Sequence, residues 1–419
     1  MRKTVLTVVA GLVGLLVLLT GPAALAAGET VQGRLRNGAE PVAGVTVAVS
    51  LAGAEVGTAQ SGADGSFSVP LPGAGNYTVT LDEGTLPDGV DLRPGASNQV
   101  MLTVATGQQR AVLFPLGAGR TVASQSRLDR LPQLAVDGLN FGLIIALAAV
   151  GLSLIYGTTG LVNFAHGELI TAGGLLAWFF NVLLDLPFLL AAALATFVAA
   201  LLGGLQDRLL WRPLRRRGTG LIAMVVVTIG LALFARYFYL YAFGGSTRPY
   251  QEYQGQVARD LGPFALADKD IASMIVCVVV LVAFGLALQR TRIGKATRAV
   301  SDNPALAASS GIDVERVIST VWVVGAGLAG LAGVILGLSQ QVSFQMGFQI
   351  LLLVFAGVTL GGLGTAFGAL LGSVVVGVFT QVSTLVVPPE LKNAGALAIL
   401  IVILLVRPQG LLGRRERVG

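Results

Sequence analysis

The sequence predicts a polytopic α-helical membrane protein with about nine spanning helices and a small N-terminal extracytoplasmic β-sandwich. Three observations carry this. Hydrophobic residues make up 54% of the 419 positions and charged residues only 12%, about half the charge of a soluble chain. From residue 137 onward the apolar residues fall in blocks of about 18–20, the length a helix needs to cross hydrocarbon. Ahead of them, between Glu29 and Leu116, apolar and polar residues alternate in short runs, which is strand texture.

The elements follow in chain order. Arg2-Lys3, an apolar run from Val5 to Leu19, and Ala24-Leu25-Ala26 read as the basic, hydrophobic and small-residue parts of a signal peptide over residues 1–26. In the β domain, set at 27–117, Val45, Val47 and Val49 alternate with Thr46, Ala48 and Ser50, as do the runs at Phe67–Leu71 and Tyr77–Leu81. Asn37-Gly38, Asp64-Gly65 and Pro72-Gly73 supply the turns, and Asp64 reads as a turn former and not a metal ligand. A polar linker occupies 118–136, the membrane domain 137–407, and a cytoplasmic tail 408–419. Helices are expected at about 138–156, 161–183, 187–206, 219–242, 270–289, 317–339, 347–362, 364–386 and 393–406.

The formal charge of +6 invites a nucleic-acid reading. The basic residues sit instead in short clusters between apolar blocks, which marks cytoplasmic loops. Arg208, Arg212 and Arg215–Arg217 form one cluster, Arg290 to Arg316 the next, and Arg407 to Arg417 the last. Nine crossings that begin with the β domain outside put all three in the cytoplasm. Arg120, Arg127 and Arg130, just before the first helix, run against this count. The single cysteine, Cys277, excludes an internal disulfide and lies in an apolar run as a small core residue. No metal-ligand spacing, catalytic constellation or cofactor motif occurs, and no enzyme activity is expected.

Spanning helices associate through close contact at small residues, because lipid is as apolar as leucine. Gly327, Gly330 and Gly333 on one predicted helix, and Gly364, Gly368 and Gly372 on another, are the expected packing positions. Asn163, His166 and Glu168 open a predicted spanning helix. They read as pins for a helix break or pore end, as solute contacts, or as a proton relay. Arg236, next to Tyr237 and Tyr239, is expected to snorkel to the outer interface.

Between Arg290 and Arg316, Asn303 suits an N-cap, Pro304 the first helical position and Gly311 the residue after the last turn. The result is a helix of about two turns, too short to span, which is either a connector or a docking lever for a partner protein. No phosphate-binding G-x-x-x-x-G-K-[ST] run exists, so any ATP-driven motor is another polypeptide.

Several segments resemble the permeases of branched-chain amino-acid ABC importers. Gly294, Arg298-Ala299, Asn303, Ala307-Ala308 and Gly311-Ile312 match the family's signature loop. Asn140-Phe141-Gly142 with Tyr156-Gly157 looks like its first helix, and Gly160-Leu161-Val162-Asn163-Phe164-Ala165-His166-Gly167-Glu168 is close to its most recognisable run. Gly325 to Gly333, Gly361-Gly362-Leu363-Gly364 and Arg407-Pro408-Gln409-Gly410 follow in order. The resemblance implies a pore shared with a homologous permease, cytoplasmic ATPase subunits that grip the 290–312 loop, and an extracytoplasmic solute-binding protein. Urea or short amides are alternative cargoes within the same family, and an ion-driven carrier is the alternative mechanism. The β domain departs from that family. Through Gly44-Val45-Thr46-Val47, Asp64-Gly65-Ser66-Phe67 and Gly75-Asn76-Tyr77-Thr78-Val79 it resembles prealbumin-like or carboxypeptidase-regulatory-like domains.

Overall fold

The computed structural model describes residues 29–401 except 38–39, 94–95, 105–108, 118–128, 254–255, 389–390, 392–393, 395–396 and 399–400. The expected signal peptide, most of the linker, most of the 393–406 helix and the tail lie outside these residues. The chain divides into two compact units, Met1–Gln125 and Ser126–Gly419.

The first unit is built of strands. β1 (Thr30–Arg34) pairs antiparallel with β4 (Ser66–Pro70) and parallel with β7 (Gln109–Val112). The second sheet runs β3-β2-β5-β6, from Ala54–Gln60, Thr46–Leu51, Gly75–Leu81 and Gln99–Val104. Alternation decides what goes inside. Val47, Val49, Phe67, Val69, Tyr77, Val79 and Leu81 are buried in one core while their neighbours face out. At the Asp64-Gly65 turn, Asp64 Oδ1 accepts from Ser66 N (3.1 Å) and Ser66 Oγ (2.7 Å), and Oδ2 pairs with Arg34 at 2.8 Å. These bonds, those of Ser66 first, hold its carboxyl below the usual carboxylate range.

The second unit is helical. Its helices are α1 (Leu131–Thr159), α2 (His166–Trp178), α3 (Phe188–Gln206), α4 (Leu221–Phe243) and α5 (Asp268–Arg290). They continue with α6 (Arg292–Asp302), α7 (Pro304–Ser309), α8 (Val314–Gln340), α9 (Met346–Gly361) and α10 (Ala366–Val382). Among the described residues six helices are long and apolar enough to cross a membrane: α1, α3 with its continuation to Arg216, α4, α5, α8 and α10. α2 has 13 residues before a π turn at Phe179–Leu183, and α9 has 16. The chain is therefore a polytopic helical membrane protein with an N-terminal β-rich unit; α2 is shorter than the helix expected at 161–183, whereas α9 matches the one expected at 347–362.

The shortening has a physical cause. After α1 the chain turns at Gly160 and runs non-helically through 161–165 before α2 begins. His166 Nε2 then donates to the carbonyl of Ala148 at 2.9 Å, near the middle of α1. The apolar block 161–183 spans both the non-helical piece and the helix, and its hydropathy cannot tell one from the other. A non-helical turn also follows α8, in a stretch where no helix is expected: after residues 341–345 α9 starts against α2, and Gly347 N donates to Thr171 Oγ1 at 3.1 Å.

α1 and α8 are the buried centre. α1 packs along α10 and α8, and α8 packs along α3, α1 and α2. Small residues set these distances. A Cβ on Gly333 would run into the Ile170 carbonyl, one on Gly330 into Ala199, and one on Gly327 would sit 3.2 Å from Ala200. Gly368 and Gly372 of α10 lie against Gly361 and Gly357 of α9. Gly364 differs from the expected stripe. It lies before α10 begins, with φ +79°, and turns the chain from α9 into α10 beside Gly157.

Candidate functional site

Two constellations draw together the residues singled out in the sequence. The first is the elbow formed by α6 and α7. α5 ends at Arg290, and Thr291 caps α6 by accepting from Gly294 N at 3.0 Å. Gly294 sits so close to the end of α5 that a Cβ would strike the carbonyls of Leu288 and Ala287. α6 is amphipathic: Gly294, Thr297 and Val300 face inward, and Arg292, Lys295 and Arg298 face out. Arg298 reaches back to the Gln289 carbonyl at 3.4 Å, and Ala299 is half-buried on the inner side.

Asn303 ends α6 and starts α7. Its extended backbone breaks the helix, and its Oδ1 accepts from Leu306 N at 3.0 Å. Pro304 takes the first helical position, where its missing N–H costs nothing. Gly311 follows with φ +82°, the left-handed conformation that glycine adopts without strain. Ala307 is buried with Val300 and Val317 in a small separate cluster. Pro304, Ala305, Leu306 and Ala308 are exposed, Leu306 by 65%. The elbow thus shows a small apolar tip on a base fixed to α5 and α8. Sequence patterning predicts α7 and its caps, whereas α6 lies in a stretch that reads as loop because its polar face masks the helical period.

Next to the elbow, the arginine-rich stretch after α3 is tied to the first turn of α8. Arg215 pairs with Asp207 at 2.8 Å and with Glu315 at 3.2 Å, and Arg212 pairs with Glu315 at 3.0 Å. Ser319 Oγ donates to Asp207 Oδ2 at 2.7 Å, and Trp211 stacks on Trp322 with centroids 5.5 Å apart. α8 follows α7 after four residues, so the elbow and this network act on the same helix end.

The second constellation is the start of α2. Asn163, His166 and Glu168 are all buried there. Asn163 Oδ1 accepts from Ala165 N at 3.0 Å, and Phe164 N donates to Thr228 Oγ1 of α4 at 3.2 Å. These bonds satisfy backbone groups that the non-helical segment leaves without helical partners. Glu168 Oε1 accepts from Arg236 Nε (3.1 Å) and Nη2 (2.9 Å), and Tyr239 Oη donates to the Glu168 carbonyl at 3.1 Å. Arg236 also lies over the Phe348 ring of α9, 3.7 Å from its centroid.

Arg236 accordingly does not snorkel to an interface. It neutralises the one carboxylate of α2 inside the helix bundle, where an unpaired charge costs several kcal/mol. The signal was available: Arg236 is the only charged residue between Leu221 and Phe243, and Glu168 the only carboxylate between Leu161 and Leu183. Two lone opposite charges in neighbouring apolar helices call for each other.

Comparison with known proteins places these features in a family. A family profile described as branched-chain amino acid transport system / permease component matches residues 134–404. The permease protein BraD of Pseudomonas aeruginosa, from a high-affinity branched-chain amino acid transport system, is 31% identical over 305 residues, covering 68% of this chain and 96% of its own. LivH of Escherichia coli, the permease of the same kind of system, is 31% identical over 297 residues, with the same coverages. A probable branched-chain permease LivH of Methanocaldococcus jannaschii is 29% identical over 289 residues, covering 64% of this chain and 89% of its own. No solved structure matches. The strands of the first unit, Thr30 to Val112, lie outside the matched range. A bundle held by glycine contacts, an elbow between two long helices and this match lead to one conclusion: the chain belongs to the family of branched-chain amino-acid ABC transport permeases, as a membrane component and not an enzyme.

Proposed function

We propose that this chain forms half of the pore of an ATP-driven importer for branched-chain amino acids. A homologous permease supplies the other half, cytoplasmic ATPase subunits supply the force, and an extracytoplasmic binding protein delivers the solute. The relatives' branched-chain systems support the cargo. The observation that carries the mechanism is the elbow, whose exposed Leu306 tip stands on a base packed against α5 and α8. ATPase closure pushes on α7, and the glycine-locked helices above it tilt as packed units. Asn163, His166 and Glu168 pin the helix break at the centre of that bundle. Nine crossings, with the β-rich unit outside and the C-terminus in the cytoplasm, fit the arginine clusters after α3 and around α6.

The direct test is the double variant Arg298→Glu with Asn303→Ala, purified from membranes with its ATPase subunits. Loss of the ATPases from a protein still inserted and monodisperse is the expected result. Undiminished co-purification removes the docking role. Uptake of radiolabelled leucine in competition with urea and acetamide tests the cargo, and leucine alone should be taken up.

A further inference from the structure

The outward faces of the helices differ in chemistry. α5 exposes Ile275, Val279, Val282 and Leu286, and α4 exposes Ile222, Val226, Ile229 and Leu233. These are surfaces that lipid covers without cost. The first turns of α9 expose Gln345, Phe348, Gln349 and Leu352 in a single stripe, at i, i+3, i+4 and i+7. Two primary amides on such a face are expensive against hydrocarbon.

Depth strengthens the contrast. α9 begins beside Gly167 and Thr171, in the turn of α2 held to the middle of α1 through His166. From there α9 runs toward the C-terminal end of α1, since Gly364 just after it meets Gly157. α2 runs the other way, toward the loop whose Gln251 bonds Asn181 and whose Ala265 bonds Gln133 at the start of α1. The stripe therefore starts half-way through the bundle, between two interrupted helices, an arrangement that lines solute paths in other carriers.

A cation stands at the stripe. Arg236 lies over Phe348, with Nε and Nη2 committed to Glu168, and it makes no hydrogen bond through Nη1 to any described residue. We propose that Gln345, Phe348, Gln349 and Arg236 form a solute-contacting site for a zwitterionic amino acid at half depth. The carboxylate is received by the free edge of Arg236, and the ammonium by the amide oxygens of Gln345 and Gln349. The aliphatic side chain lies on Phe348 and Leu352. Glu168 is a positioning residue that fixes the guanidinium plane. This rests on the pore reading above and names the wall the solute touches.

The test uses thiol chemistry on the complete transporter in proteoliposomes, with Cys277→Ala as background. Gln349→Cys and Gln345→Cys are each exposed to a small, charged, water-soluble thiol reagent, with Val279→Cys on α5 as the lipid-facing control. The expected result is labelling at 349 and 345, its loss at saturating leucine, and no labelling at 279. If neither glutamine position labels, as for a face sealed against lipid or against the second permease, the site is refuted. Labelling that leucine leaves unchanged refutes it too. As a second measure, Phe348→Ala should lower the preference for leucine over alanine by roughly tenfold, and an unchanged preference counts against the site. Failure of the parent complex to import any amino acid would sink the pore reading, whereas a working parent with unprotected thiols sinks only this site.

Discussion

α7 and α2 each begin shortly after an asparagine, yet the two starts are built in opposite ways. Asn303 satisfies its helix locally, through one bond to Leu306 three residues on, in a segment open to water. The Asn163 side chain accepts from Ala165 N, and the side chains and the Phe164 N–H of its turn draw on distant parts of the chain: Thr228 for the Phe164 N–H, Ala148 for the His166 ring, Arg236 for the Glu168 carboxylate. Where water can complete a helix end, a local cap suffices. Inside the bundle every polar group needs a protein partner, and most of those partners come from other helices.

The sharpest way to break the contrast is to remove one long-range partner. Arg236→Leu leaves Glu168 charged and buried and should cost about 3–5 kcal/mol, seen as a collapse of monodisperse protein on gel filtration in detergent. Glu168→Gln added to it should restore much of the yield. Had Arg236 been a surface anchor, the second change would do nothing.

A smaller effect is expected where contact is purely steric. Gly333→Ala puts a methyl into the Ile170 carbonyl and should cost about 1–3 kcal/mol, whereas Gly327→Ala meets only Ala200 at 3.2 Å and should cost less. Thermal unfolding in detergent ranks the two, and an equal loss would show that the α8–α2 seam can relax. Asn303→Ala should cost about 1 kcal/mol, confined to α7, with faster hydrogen exchange at Leu306 and no change in α2. Asn303→Asp, which keeps the cap acceptor, should behave as the parent.

The smallest effect lies in the β-rich unit. The Asp64 carboxyl is held below its ordinary value of 3.8, mainly by Ser66. A depressed carboxylate stabilises the fold above that ordinary value and loses its contribution as pH falls through the lowered one. Acid unfolding of residues 29–117 should therefore begin at slightly higher pH in Asp64→Asn, whose curve should be flatter below pH 4.

These contrasts also explain what could be read in the sequence. Strand alternation at Val45–Val49, the caps of α7 and the glycines of α8 are local or periodic signals, and they located their elements. The break before α2 is neither. The run Leu161–Ala165 is as apolar as a helix, and only its bonds to α1 and α4 mark the backbone as non-helical. α6 was hidden for the opposite reason, since its charges outweigh a three-residue buried stripe. The pairing of Glu168 with Arg236 spans 68 residues and leaves no periodic trace.

The joint at Gly294 has a mechanical meaning. With the start of α6 seated directly on the backbone at the end of α5, there is no side chain between them to compress or rotate. Under the docking proposed above, a stroke delivered at Leu306 would meet little slack at this joint before it reaches α5. Lengthening that joint by a residue or two would introduce play, so that ATP could be spent while little solute moved.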